Sequence, residues 1–264
     1  MEICLIKIGG SLITNKSKLD TLRPEAIEQI AQEISEIISL KPDLKIVLIN
    51  GNGSIGHPVV KKYQVNQGAN GTNTIGFCKL QQATVRLNRI FVDALLAHSI
   101  PAISFQTSTV FWGENQEYYH ASLKTIEQLL INQIIPVLYG DGIVDQDQGF
   151  NIISSDNILI LLAIHFLKSK QAQINKVINL GNYAGVLDGQ GKLIKEINST
   201  NYASLKQHIK GSQHLDISGG MAHKIQTLLE LAQLGCESWI INGSQKDNLK
   251  NLILNNQPMG TKVC

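Results

Sequence analysis

Ile46-Val47-Leu48-Ile49-Asn50-Gly51-Asn52-Gly53-Ser54-Ile55-Gly56-His57-Pro58 is the stretch that decides how this chain is read. A short, unbroken apolar run stops at alternating glycines and a polar tip, the pattern of a buried parallel strand feeding an anion-binding turn. Gly51, Gly53 and Gly56 lack the side chains that would hold the backbone away from a ligand, and the N–H groups of the next helix's first turn would point at it. His57 closes the turn with an imidazole suited to a phosphate oxygen. Taken alone, the same residues also fit an ordinary glycine-rich strand-to-helix loop with a surface histidine. What favours the phosphate cradle is that the rest of the chain repeats the pattern.

Toward the N-terminus, Ile3 to Ile8 is a β-rich run ending at Gly9-Gly10-Ser11, with Lys7 before the glycines and Lys16 shortly after them. From Pro24, the residues Ile27, Ile30, Ala31, Ile34, Ile37 and Ile38 share one helical face. Strand, turn, helix and strand in that order predict a parallel sheet whose glycine loops share one edge.

Toward the C-terminus, a short basic helix through Lys61, Lys62 and Tyr63 is followed by the polar segment Gln64 to Thr74, the expected mobile loop. Gly76 to His98 carries the longest helical pattern, with Phe77, Leu80, Thr84, Leu87, Phe91, Ala94 and Leu95 on one face. That face packs a core, and its N-terminal end also suits the wall of an apolar substrate pocket. Strands are expected at Pro101–Gln106 and Ile134–Tyr139, a helix at Ala121–Asn132, and a hairpin from Ile143 to Ile153 after Gly140-Asp141-Gly142. Ser154-Ser155-Asp156 opens a helix apolar nearly all round, Ile158 to Leu167, which must be buried. Asp156 fits either an N-cap or a carboxylate that orients lysines, and His165 reads as a satisfied core histidine. Further on come the strand Lys176–Leu180 with its turn Gly181 to Gly185, and Asp216-Ile217-Ser218-Gly219-Gly220-Met221. That last block precedes a helix from about Ala222 to Gln233 that carries Lys224. Glu237–Asn242 is a last strand.

Composition excludes several classes. The chain has 264 residues, with 23 Lys+Arg against 21 Asp+Glu, so no broad basic field points to nucleic acid or a membrane surface. Cys4, Cys78, Cys236 and Cys264 are scattered without a CxxC pair, which fits neither a structural zinc site nor a disulfide framework and suits a reducing compartment. No signal-peptide architecture is present, and Ile158 to Leu167 is too short to span a bilayer. A soluble, cytoplasmic protein is expected. No Gly-x-Gly-x-x-Gly opens a helix with an acidic residue on the next strand, which disfavours a dinucleotide fold.

Set together, Lys7 with Gly9-Gly10-Ser11, Gly51-Asn52-Gly53 with His57, Gly140-Asp141, Ser154-Ser155-Asp156 and Asp216-Ile217-Ser218-Gly219-Gly220-Met221 with Lys224 resemble the ordered motifs of the amino acid kinase superfamily. The resemblance runs from Ile3 to about Gly243 and is closest to the isopentenyl phosphate kinase branch. Gly56-His57-Pro58-Val59-Val60-Lys61-Lys62-Tyr63 and the Gly-Gly-Met-x-x-Lys block are its most specific parts. It implies an α/β fold, an open αβα sandwich with a mainly parallel central sheet, as a single kinase domain. Residues 1–150 would form the acceptor-binding lobe and residues 151–264 the nucleotide-binding lobe. It implies ATP with Mg²⁺, a small phosphorylated acceptor and a homodimer, with no metal ligands of the protein's own. Lys7, Lys16 and Lys224 would neutralise the transferred group, and Asp156 would hold the lysines. Gly10, Ser11, Gly51, Asn52, Gly53, His57 and Ser155 would bind the acceptor, and Lys7, Gly9, Lys16, Gly181, Gly185, Gly219, Gly220 and Lys224 the nucleotide. The histidine marks the branch whose acceptors are phosphate or phosphonate oxygens; carboxylate kinases of this fold lack it.

The chain departs from the family pattern at three places. Asn52 replaces the central glycine of a Gly-Gly-Gly turn, and a left-handed backbone, which Asn tolerates, would preserve it. Ser155 replaces the glycine before the aspartate, and Gly181-Asn182-Tyr183-Ala184-Gly185 stands where the family usually reads Thr-Asp-Val-Asp-Gly. The acceptor expected is isopentenyl phosphate or a similar alkyl phosphate. A fosfomycin-type or other phosphonate kinase is the near alternative, and a non-catalytic ligand-binding relative the distant one.

Overall fold

The computed structural model describes residues 1–15, 20–169, 172–206, 220–257 and 259–264. Its strands are β1 (Glu2–Ile8), β2 (Lys45–Asn50), β3 (Ala102–Ser104), β4 (Phe111–Glu114), β5 (Glu117–His120), β6 (Ile135–Tyr139), β7 (Asp141–Asp145), β8 (Gly149–Ile153), β9 (Gln173–Gly181), β10 (Glu196–Ile197), β11 (Ser238–Asn242) and β12 (Gly260–Val263). The helices are α1 (Gly10–Ile13), α2 (Pro24–Leu40), α3 (Gly53–Tyr63), α4 (Thr74–Ala97), α5 (Lys124–Ile131), α6 (Ser155–Lys168), α7 (Tyr202–Leu205), α8 (Gly220–Gln233) and α9 (Asn248–Asn255).

Eight strands form one sheet in the order β10-β12-β11-β9-β1-β2-β6-β3, with every pair parallel except β11 with β12. The order places β1 and β2 in the interior, where both faces are covered, and their sequences are accordingly apolar without interruption. Alternation along β1 sends Ile3 and Leu5 into one core with α5, α6 and α8, and Cys4, Ile6 and Ile8 into the other with α2, α4 and α9. The result is the expected αβα sandwich. The helix Ile158 to Leu167 is buried as its composition requires, inside α6, and His165 is partnered by Glu127 at 2.8 Å.

A second sheet, β5-β4-β7-β8, holds the expected hairpin as β7 and β8. The segment expected to be mobile is tied to this hairpin. Ala69 N–H donates to the Gln148 carbonyl at 2.7 Å, and buried Asn73 donates through Nδ2 to the Gly68 carbonyl at 2.7 Å. No helix among the described residues is long and apolar enough to cross a membrane.

Candidate active site

The parallel strands deliver their glycine turns to one edge, where backbone bonds run across them in series. Gly9 N–H donates to the Leu180 carbonyl at 2.7 Å, Gly51 N–H to Ile8 at 2.8 Å, Gly140 N–H to Asn50 at 3.1 Å and Gly243 N–H to Gly181 at 2.8 Å. The turns after β1 and β2 also interlock: a Cβ on Gly10 would lie 2.2 Å from Gly53 N. Thr14 staples the contact, its Oγ1 donating to the Gly10 carbonyl at 2.7 Å and accepting from Ser54 N–H at 2.9 Å. At Gly10, Gly51 and Gly53 the turns leave room only for glycine, and their N–H groups give the edge backbone dipoles suited to an anion.

Lys7 follows Ile3 and Leu5 onto the α6 and α8 side of the sheet, because it shares their parity in β1. There its Nζ donates to Asp156 Oδ2 at 2.9 Å, while Lys224 Nζ, from α8, lies 2.5 Å from Asp156 Oδ1. The N-cap role falls to Ser154, whose Oγ accepts from Asn157 N–H at 3.1 Å, so Asp156 is left to hold the two lysines. All three charged side chains are largely shielded from solvent. Burial lowers the Lys7 ammonium to about 8, with Asp156 opposing and Lys224 reinforcing the fall. Burial also works against the Asp156 carboxylate, but Lys224 and Lys7 override it and hold the group well below the usual carboxylate range. Lys224 is raised, since Asp156, with Tyr183 adding, outweighs the desolvation. Two cations confined around one carboxylate leave a net positive charge that a phosphate chain can meet.

Asn52 does not adopt the left-handed backbone expected of it. It is right-handed at φ −88°, ψ −20°, and Gly53 takes the positive φ of 48° instead. The Asn52 side chain wedges between two glycines: a Cβ on Gly56 would meet Asn52 Cβ at 2.6 Å, and one on Gly140 would meet Asn52 Nδ2 at 3.2 Å. Its Oδ1 is buried without a hydrogen-bond partner, so the amide adds polar capacity at the cradle. Ser155 closes the same space, with Oγ 3.3 Å from where a Gly51 Cβ would be. His57 lies one turn inside α3, because the helix already starts at Gly53. Ser11 is half-buried in α1 beside Gly10.

The structure thus brings together Lys7, Gly9, Gly10, Gly51, Asn52, Gly53, Ser155, Asp156, Gly181 and Lys224. Gly185, at φ 140°, packs instead against Leu193 and Thr261, where Val186 N–H donates to Thr261 Oγ1 at 2.8 Å. Gly220 opens α8 with a positive φ of 69°, and no other described residue comes within 4 Å of the place its Cβ would occupy. Lys16, Gly219 and the preceding Asp216, Ile217 and Ser218 lie outside the described residues.

Beside the cradle, α3, α4 and β8 enclose an apolar group of Val60, Val65, Leu80 and Phe150. Phe77 stacks on Phe150 with ring centroids 4.8 Å apart, and Gly142 leaves the room for it. Helix α4 is held over this edge by polar contacts that the apolar pattern did not reveal. Thr84 Oγ1 donates to buried Asp141 Oδ1 at 3.0 Å, and Asn88 Nδ2 to Asn50 Oδ1 at 2.8 Å. Burial pushes the Asp141 carboxyl up to about 6, against hydrogen bonds from Ser108, Thr84 and Gly142. Asn179 and Tyr183 are the other polar groups that sequence reasoning passed over. The only sign of Asn179 was an amide inside the run Val177-Ile178-Asn179-Leu180.

The family model described as "Amino acid kinase family" matches residues 2–242. The chain is 29% identical to isopentenyl phosphate kinase of Methanocaldococcus jannaschii, over 99% of this chain and 98% of that one. It is also 29% identical to isopentenyl phosphate kinase of Methanothermobacter thermautotrophicus, over 98% of each. A solved isopentenyl phosphate kinase superposes with a TM-score of 0.82 at 27% identity, covering 98% of this chain and 99% of that one.

Proposed function

The chain belongs to the amino acid kinase family, and from that footing we propose that it transfers the γ-phosphoryl group of ATP to the phosphate of isopentenyl phosphate. The observation that carries this reading is the pairing of Lys7 and Lys224 on Asp156 at the edge where the glycine turns meet. An acceptor phosphate oxygen forms a bond to the γ-phosphorus as the bond from that phosphorus to the ADP oxygen breaks. The acceptor is already ionised, so no proton has to be removed and no strong general base is needed. The task left to the protein is to bring two anions together, which calls for fixed cations and backbone donors.

In this reading residues 1–150 supply the acceptor lobe, with Gly10, Ser11, Gly51, Asn52, Gly53, His57 and Ser155 around the acceptor phosphate. Residues 151–264 supply the nucleotide lobe, to which Gly181, Gly220 and Lys224 belong and to which Gly185 and Gly219 are assigned by the resemblance alone, with Lys7, Gly9 and Lys16 as the nucleotide-binding residues of the other lobe. Both oxygens of Asp156 are taken by lysines, so Mg²⁺ enters on the phosphates of ATP and no step is routed through a protein-held metal. A cytoplasmic homodimer completes the proposal; Leu96 and Ile103, exposed near the β3 edge of the sheet, are apolar positions a second copy would cover.

The stacked Phe77 and Phe150 favour an alkyl tail over the small polar acceptor of a phosphonate kinase. Purified protein with Mg–ATP is expected to release ADP on isopentenyl phosphate, and His57→Ala to lower kcat/KM for that acceptor roughly 100-fold. Turnover on fosfomycin with none on isopentenyl phosphate would overturn the acceptor, and no turnover on any phosphate, phosphonate or carboxylate would overturn the kinase.

A further inference from the structure

Strand β9 ends at Gly181, in the middle of the line of glycine turns. Its carbonyl accepts from Gly243 N–H at 2.8 Å, and its Cα would lie 3.5 Å from a Cβ on Gly9. What fills the missing side chain of Gly181 is the far end of Tyr183: a Cβ there would meet Tyr183 Cζ at 2.2 Å and its hydroxyl oxygen at 2.6 Å. The ring therefore folds back along the chain, so that the phenol end, and not its stem, covers the end of the strand.

The face on which it lies is set by alternation. Val177, Asn179 and Gly181 share a side of β9, and Asn179 is the register partner of Lys7 on β1. This is the side on which Lys7, Asp156 and Lys224 meet, and Tyr183 packs against the core layer that carries α6 and α8. Tyr183 and Lys224 are close enough to interact, an ionised phenol there favouring the ammonium. Beneath it, Asn179 is fully buried with neither amide atom hydrogen-bonded. The turn itself is fixed, since Ser244 Oγ donates to Asn182 Oδ1 at 2.9 Å.

We infer that Tyr183 is a further nucleotide-binding residue, whose phenol hydroxyl donates a hydrogen bond to the phosphate chain from the place a side-chain hydroxyl on residue 181 would occupy. The inference rests on the kinase reading and deepens it at the nucleotide end. A threonine at 181 carries its oxygen one bond from Cβ; here residue 181 gives up its side chain and residue 183 brings an oxygen to the same neighbourhood. Gly181 and Tyr183 are thus two halves of one exchange. The acidic groups absent from Asn182 and Ala184 would have repelled a phosphate chain, and an uncharged donor beside Lys224 does not.

Tyr183→Phe keeps the ring on Gly181 and removes only the donor. Calorimetric titration with Mg–ADP should show binding weakened about tenfold, in line with a hydrogen bond to a charged group. KM for ATP should rise in step, with the acceptor KM and the unfolding temperature unchanged. The double variant G181T/Y183V should return Mg–ADP affinity toward that of the unmodified protein. Unaltered or tighter Mg–ADP binding by Tyr183→Phe would overturn the inference, and failure of the double variant to recover would overturn the placement of the hydroxyl at residue 181. An unmodified protein that bound no Mg–ADP would overturn this inference together with the reading it rests on.

Discussion

Gly10, in the turn after β1, and Gly181, at the end of β9, lie along the same edge of the sheet and lack side chains for different reasons. Around Gly10 the packing is backbone on backbone: a Cβ would lie 2.2 Å from Gly53 N and 2.7 Å from Gly53 Cα. Around Gly181 the space is taken by the end of a side chain, Tyr183. A glycine demanded by two approaching strands recurs wherever the sheet needs the approach, so its pattern is visible in the sequence. A glycine that makes room for a side chain is half of a pair, and nothing marks it until the partner is seen.

The carboxylate shared by Lys7 and Lys224 is where the largest effect is expected. Asp156→Asn keeps the shape but leaves two buried ammonium groups facing each other, and breaking a buried ion pair from one side costs about 3–5 kcal/mol. Denaturant unfolding should register that loss, and ADP release should fall away with it. Full stability with lost activity would mean that the two lysines do not depend on the shared carboxylate for their placement, and the two would then be independent.

How far the sequence reached follows the same division. β1, β2, β6 and β9 were legible because interior parallel strands must be apolar on both faces, and α2 and α4 because one face repeats at helical spacing. Lys7 was legible as a charge before a glycine turn, Asp156 as either an N-cap or a carboxylate that orients lysines, and the shared role of Lys7, Asp156 and Lys224 only through the resemblance to the kinase family. The hairpin of β4 and β5 was not, because its turn residues Asn115 and Gln116 both take positive φ, 51° and 63°, with no glycine to announce them. For Gln64 to Thr74 an Asn- and Gly-rich composition suggested only a loop; the structure adds that Asn70 and Asn73 spend their amides on local backbone. The early start of α3 was hidden by its glycines, and a contact from Thr14, distant in sequence, fixes it.

Gly10→Ala is the next largest expected effect and tests the backbone-on-backbone side. The added methyl meets the Gly53 amide and Cα with no flexible group to yield, so over-packing should cost about 3 kcal/mol and open the joint between the β1 and β2 turns. Thermal unfolding measures the cost, and acceptor KM should rise with it. A neutral substitution would show that the two turns can separate, and the contrast with Gly181 would lose its first term.

Gly181→Ala should have the smallest effect, and its sign depends on Tyr183. The nearest atoms the methyl meets are the Cζ, Cε1 and hydroxyl end of a ring that can swing aside, so the stability cost should stay near or below about 1 kcal/mol. Residue 181 is extended strand, a conformation alanine adopts without strain, and removing the ring takes away the three atoms nearest to the methyl. In a Tyr183→Ala background the same substitution should therefore stabilise, by about 0.4–1 kcal/mol, because it narrows the unfolded ensemble. Chemical denaturation of the four proteins in this cycle isolates the coupling between the two positions. A reversal of sign on removing Tyr183 would establish that Gly181 is glycine on account of the tyrosine. Equal costs in both backgrounds would place the constraint in the backbone, and Gly181 would then belong with Gly10.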